Sequence, residues 1–400
     1  MNVYFLPQRP KLCRFVPMLH RMLKASWGNR LLALDAVRAV AMLLMIQGHT
    51  LDALADPREL DITAFPWNIW HFLRGLTAPT FLLISGIVHM FATQRTAEGR
   101  LPSELVWRRI RWALTLLGIG YLMMFPARRL WDVGFVAPEQ WSAFFRVHIL
   151  QLIGVTLLGV LGLFAVTRNN RQVAWGGLLL GIALCAVAPA VAAVDWFALL
   201  PEAVAAYLST ARGSFFPIVP FSAYLLLGLP LGYVLANAPA ERRERLMQRL
   251  FLWLGLGTVA LAVPLAEWFA PLVPAGANPY HANPGLILLR FGLALLLAWG
   301  ISWLYILTPR LQPYYVLAGR YALHVFVGHL VLLYGTPWFS SIARWYPKAL
   351  PLWQSGLIAL GVIGACLAML PALEWLRRSQ WSWKLATYGS AIGLVYLLLF

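Results

Sequence analysis

Two histidines near the edges of neighbouring apolar runs are the first candidates for chemistry. His49 lies late in a run that begins near residue 31, and His71 lies at the start of the next run. Histidine is the usual proton carrier near neutral pH. We therefore predict that both residues are catalytic and that their side chains face one cavity. The structural alternatives are a buried ring bonded to a neighbouring helix for His49 and an interfacial side chain for His71.

An acidic and a basic residue precede His49 in the same apolar run. Ionisable groups are costly inside a membrane and therefore indicate functional sites. Asp35 and Arg38 are three residues apart, share a helix face and can pair. His49 follows Arg38 by eleven residues, which places it on the same face about 16 Å further along the helix. We predict that Asp35 and Arg38 bind substrate or donor; a structural ion pair that also anchors the helix is the alternative.

Later apolar runs hold five more polar residues that we predict to bind substrate or donor: Arg74, Gln151, Arg290, Arg320 and His324. The alternative is snorkelling to the interface for Arg74 and an ion pair with a neighbouring helix for Arg290. Arg320 and His324 are one helical turn apart, whereas His329 lies about 140° around the helix from His324. At most one of these two histidines therefore lines the site.

Other polar residues in the apolar runs carry weaker predictions. His89 and His281 have no polar context in the sequence, and we interpret both as structural. Pro217 and Pro220 lie so close together that they predict a broken or kinked helix start, which suits a cavity lining.

The remainder of the chain is apolar enough to hold these residues inside a membrane. Of its 400 residues, 60% are hydrophobic and 12% are charged, whereas soluble domains carry about 25% charged residues. This composition excludes a disordered chain, a coiled coil and an ordinary soluble domain. The apolar runs are continuous rather than alternating, which argues against an outer-membrane barrel.

The apolar runs predict an all-α, polytopic transmembrane helix bundle with about 11 spans (10–12), because about 20 apolar residues cross a bilayer. The candidate spans are 31–54, 70–93, 109–126, 145–166, 172–194, 216–236, 249–270, 285–306, 314–335, 352–373 and 383–400. We predict two parts, a basic cytoplasmic arm over residues 1–30 and a single transmembrane domain over residues 31–400.

The net charge of +17 indicates orientation rather than nucleic-acid binding. Lys and Arg collect in cytoplasmic loops, and the loop charges here place the N-terminus in the cytoplasm. The loop 336–351 contradicts this orientation, since it carries Arg344 and Lys348 on the predicted outer side.

The three cysteines have no close spacing, and the sequence has no Walker A, His-Glu-x-x-His or Gly-x-Ser-x-Gly motif. We therefore expect no metal and no bound cofactor.

Several of these segments resemble known membrane enzymes. Residues 34–41, with His49 beyond them, resemble the opening helix of the acyltransferase-3 superfamily of integral-membrane acyltransferases. Residues 74–86 are similar to one branch of it, the heparan-alpha-glucosaminide N-acetyltransferase catalytic-domain family with its bacterial members. Further similar segments follow in the expected order over most of the chain: 148–154, 216–221, 227–232 and 317–324.

The resemblance implies an enzyme that takes an acyl group, usually acetyl from cytoplasmic acetyl-CoA, and passes it to a sugar or glycan across the membrane. It also implies a catalytic histidine at the start of the second span, for which His71 is the nearest match, and a polar site residue at His49. Five arginines that we predict near the inner face suit the phosphates of CoA: Arg38, Arg108, Arg109, Arg111 and Arg320. For the group Arg108, Arg109 and Arg111, charge-based anchoring at the inner face is the alternative.

Together these features predict an acyl-CoA-dependent acyltransferase of the bacterial inner membrane. Its partners would be an acyl-CoA donor, a sugar or glycan acceptor and the lipid bilayer, with no nucleic acid. The alternative is a transporter or flippase for a small or lipid-linked molecule, which the absence of a visible internal repeat disfavours. A non-enzymatic membrane partner protein is the third interpretation. Direct transfer and a covalent acetyl-histidine both remain open, as does the oligomeric state.

Overall fold

The computed structural model describes residues 31–399, and within that range the chain is helical with no β-strand. The predicted all-α class is therefore confirmed, while the predicted basic arm lies outside the described residues. In chain order the helices are α1 (Leu32–Leu54), α2 (Trp67–Arg74), α3 (Thr77–Phe91), α4 (Ser103–Met123), α5 (Pro138–Phe145), α6 (Ile149–Val166), α7 (Asn170–Ala186), α8 (Ala188–Ala192), α9 (Trp196–Leu199), α10 (Glu202–Ala205), α11 (Ile218–Asn237), α12 (Arg243–Phe269), α13 (Pro279–Ala282), α14 (Pro284–Leu307), α15 (Gln312–Arg320), α16 (Ala322–Tyr334), α17 (Ile342–Trp345), α18 (Leu352–Arg378) and α19 (Gln380–Leu399).

Within residues 31–399, seven helical segments are long and apolar enough to cross a membrane, or eight if the bent pair α15–α16 counts as one span. All eight coincide with predicted spans. The other three predicted spans fall on α4, α7 and α19. Helix α4 carries three arginines in its first half, and α7 is only 17 residues long. The chain is thus a helical membrane protein, and the total of eleven spans stays a prediction.

Helix α11 lies at the centre of the bundle and packs tightly against α3. Gly86 of α3 lies against the backbone of Leu225, and Gly228 of α11 lies against the backbone of Leu83. A Cβ atom at either glycine would overlap the carbonyl oxygen opposite. Small residues let membrane helices approach to backbone contact. These two glycines therefore fix the position of α3, whose N-terminal end follows Arg74.

The start of α11 is broken, as its two prolines predict. Pro217 is the N-cap residue, and Val219, which precedes Pro220, has φ −98° and ψ 119° instead of helical values. A residue before proline is disfavoured in the α region, because the proline ring clashes with its backbone and Cβ. The regular part of α11 therefore begins at Pro220.

The ninth predicted span is not one continuous helix. It is divided into α15 and α16, which are bent by 75° at Tyr321. On the near side of the bend, Gly319 packs against Asp35 of α1, where an added Cβ would lie 2.7 Å from the Asp35 Cβ. The expected one-turn spacing of Arg320 and His324 is wrong, because the two residues lie in different helices.

The start of α14 is fixed by an asparagine cap. The Asn283 side chain accepts a hydrogen bond from the Gly285 backbone N–H at 2.9 Å and donates one to the Ala266 carbonyl at 2.8 Å. Pro284 at the first helical position needs no such partner, since it has no N–H. Through the hydrogen bond to Ala266 this cap links α14 to α12, and it thereby fixes the position of Arg290 along the axis of the bundle.

Candidate active site

His49 lies in a contact between the C-terminal part of α1 and α16. Its ring centroid is 5.6 Å from that of His329, which is fully buried, while His49 itself is half-buried. The His49 Nδ1 lies 3.4 Å from the Tyr334 hydroxyl, which also donates to the His49 carbonyl at 3.3 Å. Two imidazoles and a phenol thus meet at the end of the bundle where α1 ends.

The tautomer of His329 follows from its hydrogen bond. Its Nδ1 is 3.1 Å from the Val325 carbonyl, and since a carbonyl only accepts, the Nδ1–H must donate. In the neutral ring the Nε2 then carries a lone pair. This Nε2 is buried and has no hydrogen-bond partner within residues 31–399. His329 is therefore a proton acceptor with a free position beside His49.

Arg74 joins the two predicted catalytic histidines. Its guanidinium forms an ion pair with Asp52, one turn beyond His49, and donates to the Gly48 carbonyl at 3.4 Å. It also donates to the His71 Nδ1 at 3.3 Å. A side chain at Gly48 would overlap that of Arg74, so glycine makes this approach possible. His49 and His71 thus lie at the same end of the bundle, linked through Arg74.

A third histidine and a buried amide lie at the start of α6, at this same end. His148 is within electrostatic range of His49, and its ring centroid is 5.3 Å from that of Phe215. Its Nε2 is buried without a hydrogen-bond partner in the described chain. Three residues further on, Gln151 is fully buried, and neither its Nε2 nor its Oε1 has a partner there. Two buried side chains at the start of α6 thus keep free hydrogen-bonding capacity, and one of them, His148, is within electrostatic range of His49.

Arg290 also reaches this end of the bundle, from α14. Its guanidinium stacks over the Tyr280 ring at 4.3 Å from the centroid. An added Cβ at Gly75 would lie 3.3 Å from an Nη atom of Arg290, so the guanidinium lies against the break between α2 and α3. Gly75 follows Arg74 directly, so Arg290 lies against the residue next to Arg74.

The remaining predicted residues lie at the other end of α1. Arg38 and Asp35 form the predicted ion pair, at 4.0 Å. Arg320 pairs with Glu374 of α18 at 3.4 Å. His324 packs near Trp383 of α19, with ring centroids 6.2 Å apart. The predicted binding residues therefore form two separate groups, one at each end of α1.

Three residues near His49 are not among the residues that the sequence predicts for the site: His329, Asp52 and Tyr334. The sequence favours His324 over His329, because His324 follows Arg320 by four residues, but α16 packs so that His329 faces α1. Asp52 carried a usable signal, since it lies three residues after His49 and three is a same-face spacing. Tyr334 carried none. Within residues 31–399 no group of three or more His, Cys, Asp or Glu side chains is placed to hold a metal ion.

One comparison with known families matches a large part of the chain. The model of the family described as heparan-alpha-glucosaminide N-acetyltransferase, catalytic, matches residues 30–264, which is more than half of the sequence. The matched region includes His49, His71, Arg74 and His148, whereas α14 and α16 follow it. A comparison with curated proteins gives no match.

Proposed function

Because this chain belongs to the heparan-alpha-glucosaminide N-acetyltransferase catalytic family, we propose that it transfers an acetyl group from acetyl-CoA to a sugar or glycan. The acceptor binds at the end of the bundle that holds His49 and His71. The donor binds at the opposite end, near Arg38 and Arg320. The protein lies in a bacterial inner membrane with its N-terminus in the cytoplasm. The donor therefore approaches from the cytoplasmic side and the acceptor from the opposite side.

The observation that carries this proposal is the contact of His49 with His329 and Tyr334. Acetyl transfer to an amine or hydroxyl needs a base for the proton that the acceptor loses. His49 is half-buried and so accessible to an acceptor, whereas His329 is fully buried behind it. We assign the base to His49 and a proton-accepting, positioning role to His329.

The acceptor oxygen or nitrogen attacks the thioester carbonyl and gives its proton to the His49 imidazole. The C–S bond breaks, and the CoA sulfur leaves as a thiolate, which takes up the proton that the His49 imidazolium releases. The guanidinium of Arg74 is placed to donate to the oxyanion of the tetrahedral intermediate, which is the type of stabilisation that contributes most in acyl transfer. His71, held by Arg74, and Gln151 complete the acceptor side.

Two groups at the other end of α1 suit the donor. The guanidinium groups of Arg38 and Arg320 are good ligands for the phosphates of CoA, and each is oriented by a carboxylate, from Asp35 and Glu374 respectively. His324 lies one turn beyond the bend at Tyr321. Arg38 and His49 are about 16 Å apart along α1, so the thioester has to reach into the bundle from this end.

A transporter for a small or lipid-linked molecule is the second candidate function. Discontinuous helices are typical of transporter binding sites. The 75° bend between α15 and α16 and the broken start of α11 are features of this kind.

Labelled acetyl-CoA tests the proposal on the full chain purified in detergent. We expect label in an amino sugar or glycan from a panel of acceptors, and a loss of transfer in His49→Ala and His71→Ala. Calorimetry on the same samples gives donor binding, which these variants should keep. A folded wild-type sample that neither binds acetyl-CoA nor labels any acceptor contradicts the proposal. Label that stays on the wild-type protein and is absent from His49→Ala indicates an acetyl-histidine intermediate.

A further inference from the structure

Arg290 is a cation without a counter-ion inside the bundle. It lies in α14, two turns from the helix start, and is only partly accessible. No carboxylate within residues 31–399 forms an ion pair with it, and its Nε is buried without a hydrogen-bond partner. Arg74, which precedes Gly75, is already neutralised by Asp52. A guanidinium in a low-dielectric site favours the approach of an anion.

The groups around Arg290 suit a ligand rather than a structural ion pair. One face of the guanidinium rests on Tyr280, and the Tyr224 side chain lies within electrostatic range. His281 is a second basic group within electrostatic range of Arg290, and its Nδ1 is buried without a partner in the described chain. The residues that line this region are thus aromatic or basic, with backbone of Gly75 on one side.

The region adjoins the candidate active site through Gly75, which lies against Arg290. Gly75 is bonded directly to Arg74, and its N–H donates to the carbonyl of His71 at 3.1 Å. An anionic group held by Arg290 would therefore lie close to Gly75 and so near Arg74, the arginine that joins His71 to α1. A sugar that placed one hydroxyl or amine near His49 could extend an acidic substituent to Arg290.

We propose that Arg290, Tyr280 and His281 form a subsite for an anionic group, a phosphate or a carboxylate, on the acceptor sugar. This assignment of the acceptor class rests on the acetyltransferase function proposed above. Arginine holds such groups through two parallel N–H donors, and its Nη and Nε atoms supply that geometry. The subsite selects acidic acceptors over neutral ones.

Direct binding of small sugars to the full chain in detergent tests the subsite. The probes are glucose, glucose 6-phosphate, glucuronic acid and glycerol 3-phosphate, titrated into unlabelled wild-type protein without acetyl-CoA. We expect at least one acidic sugar to bind about tenfold or more tightly than glucose, since a charge-assisted hydrogen bond contributes on this scale. The phosphate and carboxylate probes show which group fits better.

Variants assign the preference to Arg290. Arg290→Gln should remove the preference for acidic sugars over glucose, and Arg290→Lys should keep part of this preference. Arg129→Gln, which removes an exposed arginine from a loop, should leave the preference unchanged. Equal binding of glucose and both acidic sugars to wild type overturns the subsite, as does a preference that survives Arg290→Gln. Glycerol 3-phosphate that binds as well as glucose 6-phosphate also overturns it and indicates a lipid-headgroup site.

The failure of the subsite and the failure of the proposed function have different signatures. Charge-selective binding that depends on Arg290, in a protein that transfers no acetyl group, leaves the anion site in place and removes the enzymatic function. Acetyl transfer that proceeds equally on neutral and acidic amino sugars, with no selective binding, keeps the function and removes the subsite.

Discussion

The imidazole of His49 packs against that of His329, with ring centroids 5.6 Å apart, although one lies in α1 and the other in α16. Neither ring forms an ion pair with a carboxylate within residues 31–399. The groups in contact with His49 that can take up its proton are therefore His329 and the Tyr334 hydroxyl, besides solvent and substrate. This isolation distinguishes the pair from a catalytic triad, in which a carboxylate orients the base.

Removal of the His49 imidazole should abolish most acetyl transfer. We expect His49→Ala to lower kcat by about 10²- to 10⁴-fold, the usual contribution of a general base, with an unchanged Kd for acetyl-CoA. His89→Ala is the matched control. This histidine lies in the last turn of α3 and packs near Phe164, so its loss should lower the melting temperature and not kcat. Full activity in His49→Ala would show that another group is the base.

A substitution at His329 should act on turnover and not on acceptor affinity. Because His329 is buried behind His49, we expect His329→Ala to lower kcat by about tenfold or more while KM for the acceptor stays constant. Added imidazole should restore part of the rate in this variant and leave wild type unaffected. A structural role would instead give an unstable protein that imidazole does not rescue.

The ion pair between Asp52 and Arg74 should contribute modestly to stability. The Asp52 side chain is 36% exposed, so solvent screens the pair and the coupling should be about 1 kcal/mol. A double-mutant cycle with Asp52→Asn and Arg74→Gln measures this coupling through thermal unfolding. Asp52→Asn should also reduce kcat, because Arg74 then loses the partner that holds it beside His71. Additive effects on stability would contradict a direct interaction.

Particular residues show what the sequence could predict. The Asp35–Arg38 pair follows from a local spacing of three, and the broken start of α11 follows from Pro217 and Pro220. Both depend on neighbours in the chain. The helical class likewise follows from composition and the length of apolar runs.

The contact of His49 with His329 depends instead on tertiary packing. No proline lies near Tyr321, and a single glycine such as Gly319 is common within membrane helices, so the sequence does not indicate a bend of 75° there. The rotation of α16 that brings His329 to α1 follows from that bend and from the close packing of Gly319 on Asp35. A straight helix over 314–335 made His324 the natural partner of Arg320, and the structure separates them.

Acidification should destabilise the chain through His281, which lies in the short helix α13 between two spans. Burial, and then the nearby Arg290 guanidinium, lower the pKa of this imidazole to about 4. The unfolded chain binds the proton with the ordinary pKa of 6.5, so acid favours unfolding. The contribution of His281 to the free energy of unfolding should be constant above pH 6.5, fall as the pH drops from 6.5 to about 4, and level off below that.

Thermal unfolding of wild type and His281→Gln across this pH range measures the effect. The variant should lose less stability on acidification, since it has no imidazole at position 281 to protonate. Above pH 6.5 the melting temperatures of the two proteins should differ by a constant amount. Parallel pH dependences for the two proteins over the whole range would show that His281 does not contribute.

The contact between α3 and α11 should tolerate no side chain at its glycines. At Gly86 an added methyl group would overlap the Leu225 carbonyl, and backbone cannot move aside as a flexible side chain can. Gly86→Ala should therefore lower stability by about 1–3 kcal/mol or more. It should also reduce acetyl transfer, because α3 follows Arg74 and sets the position of Arg74 relative to His49.

Gly118→Ala in α4 is the matched control, since nothing lies within 4 Å of the added Cβ there. We expect this variant to be at least as stable as wild type, given the higher helix propensity of alanine. Equal melting temperatures for the two variants would contradict the close packing of α3 on α11.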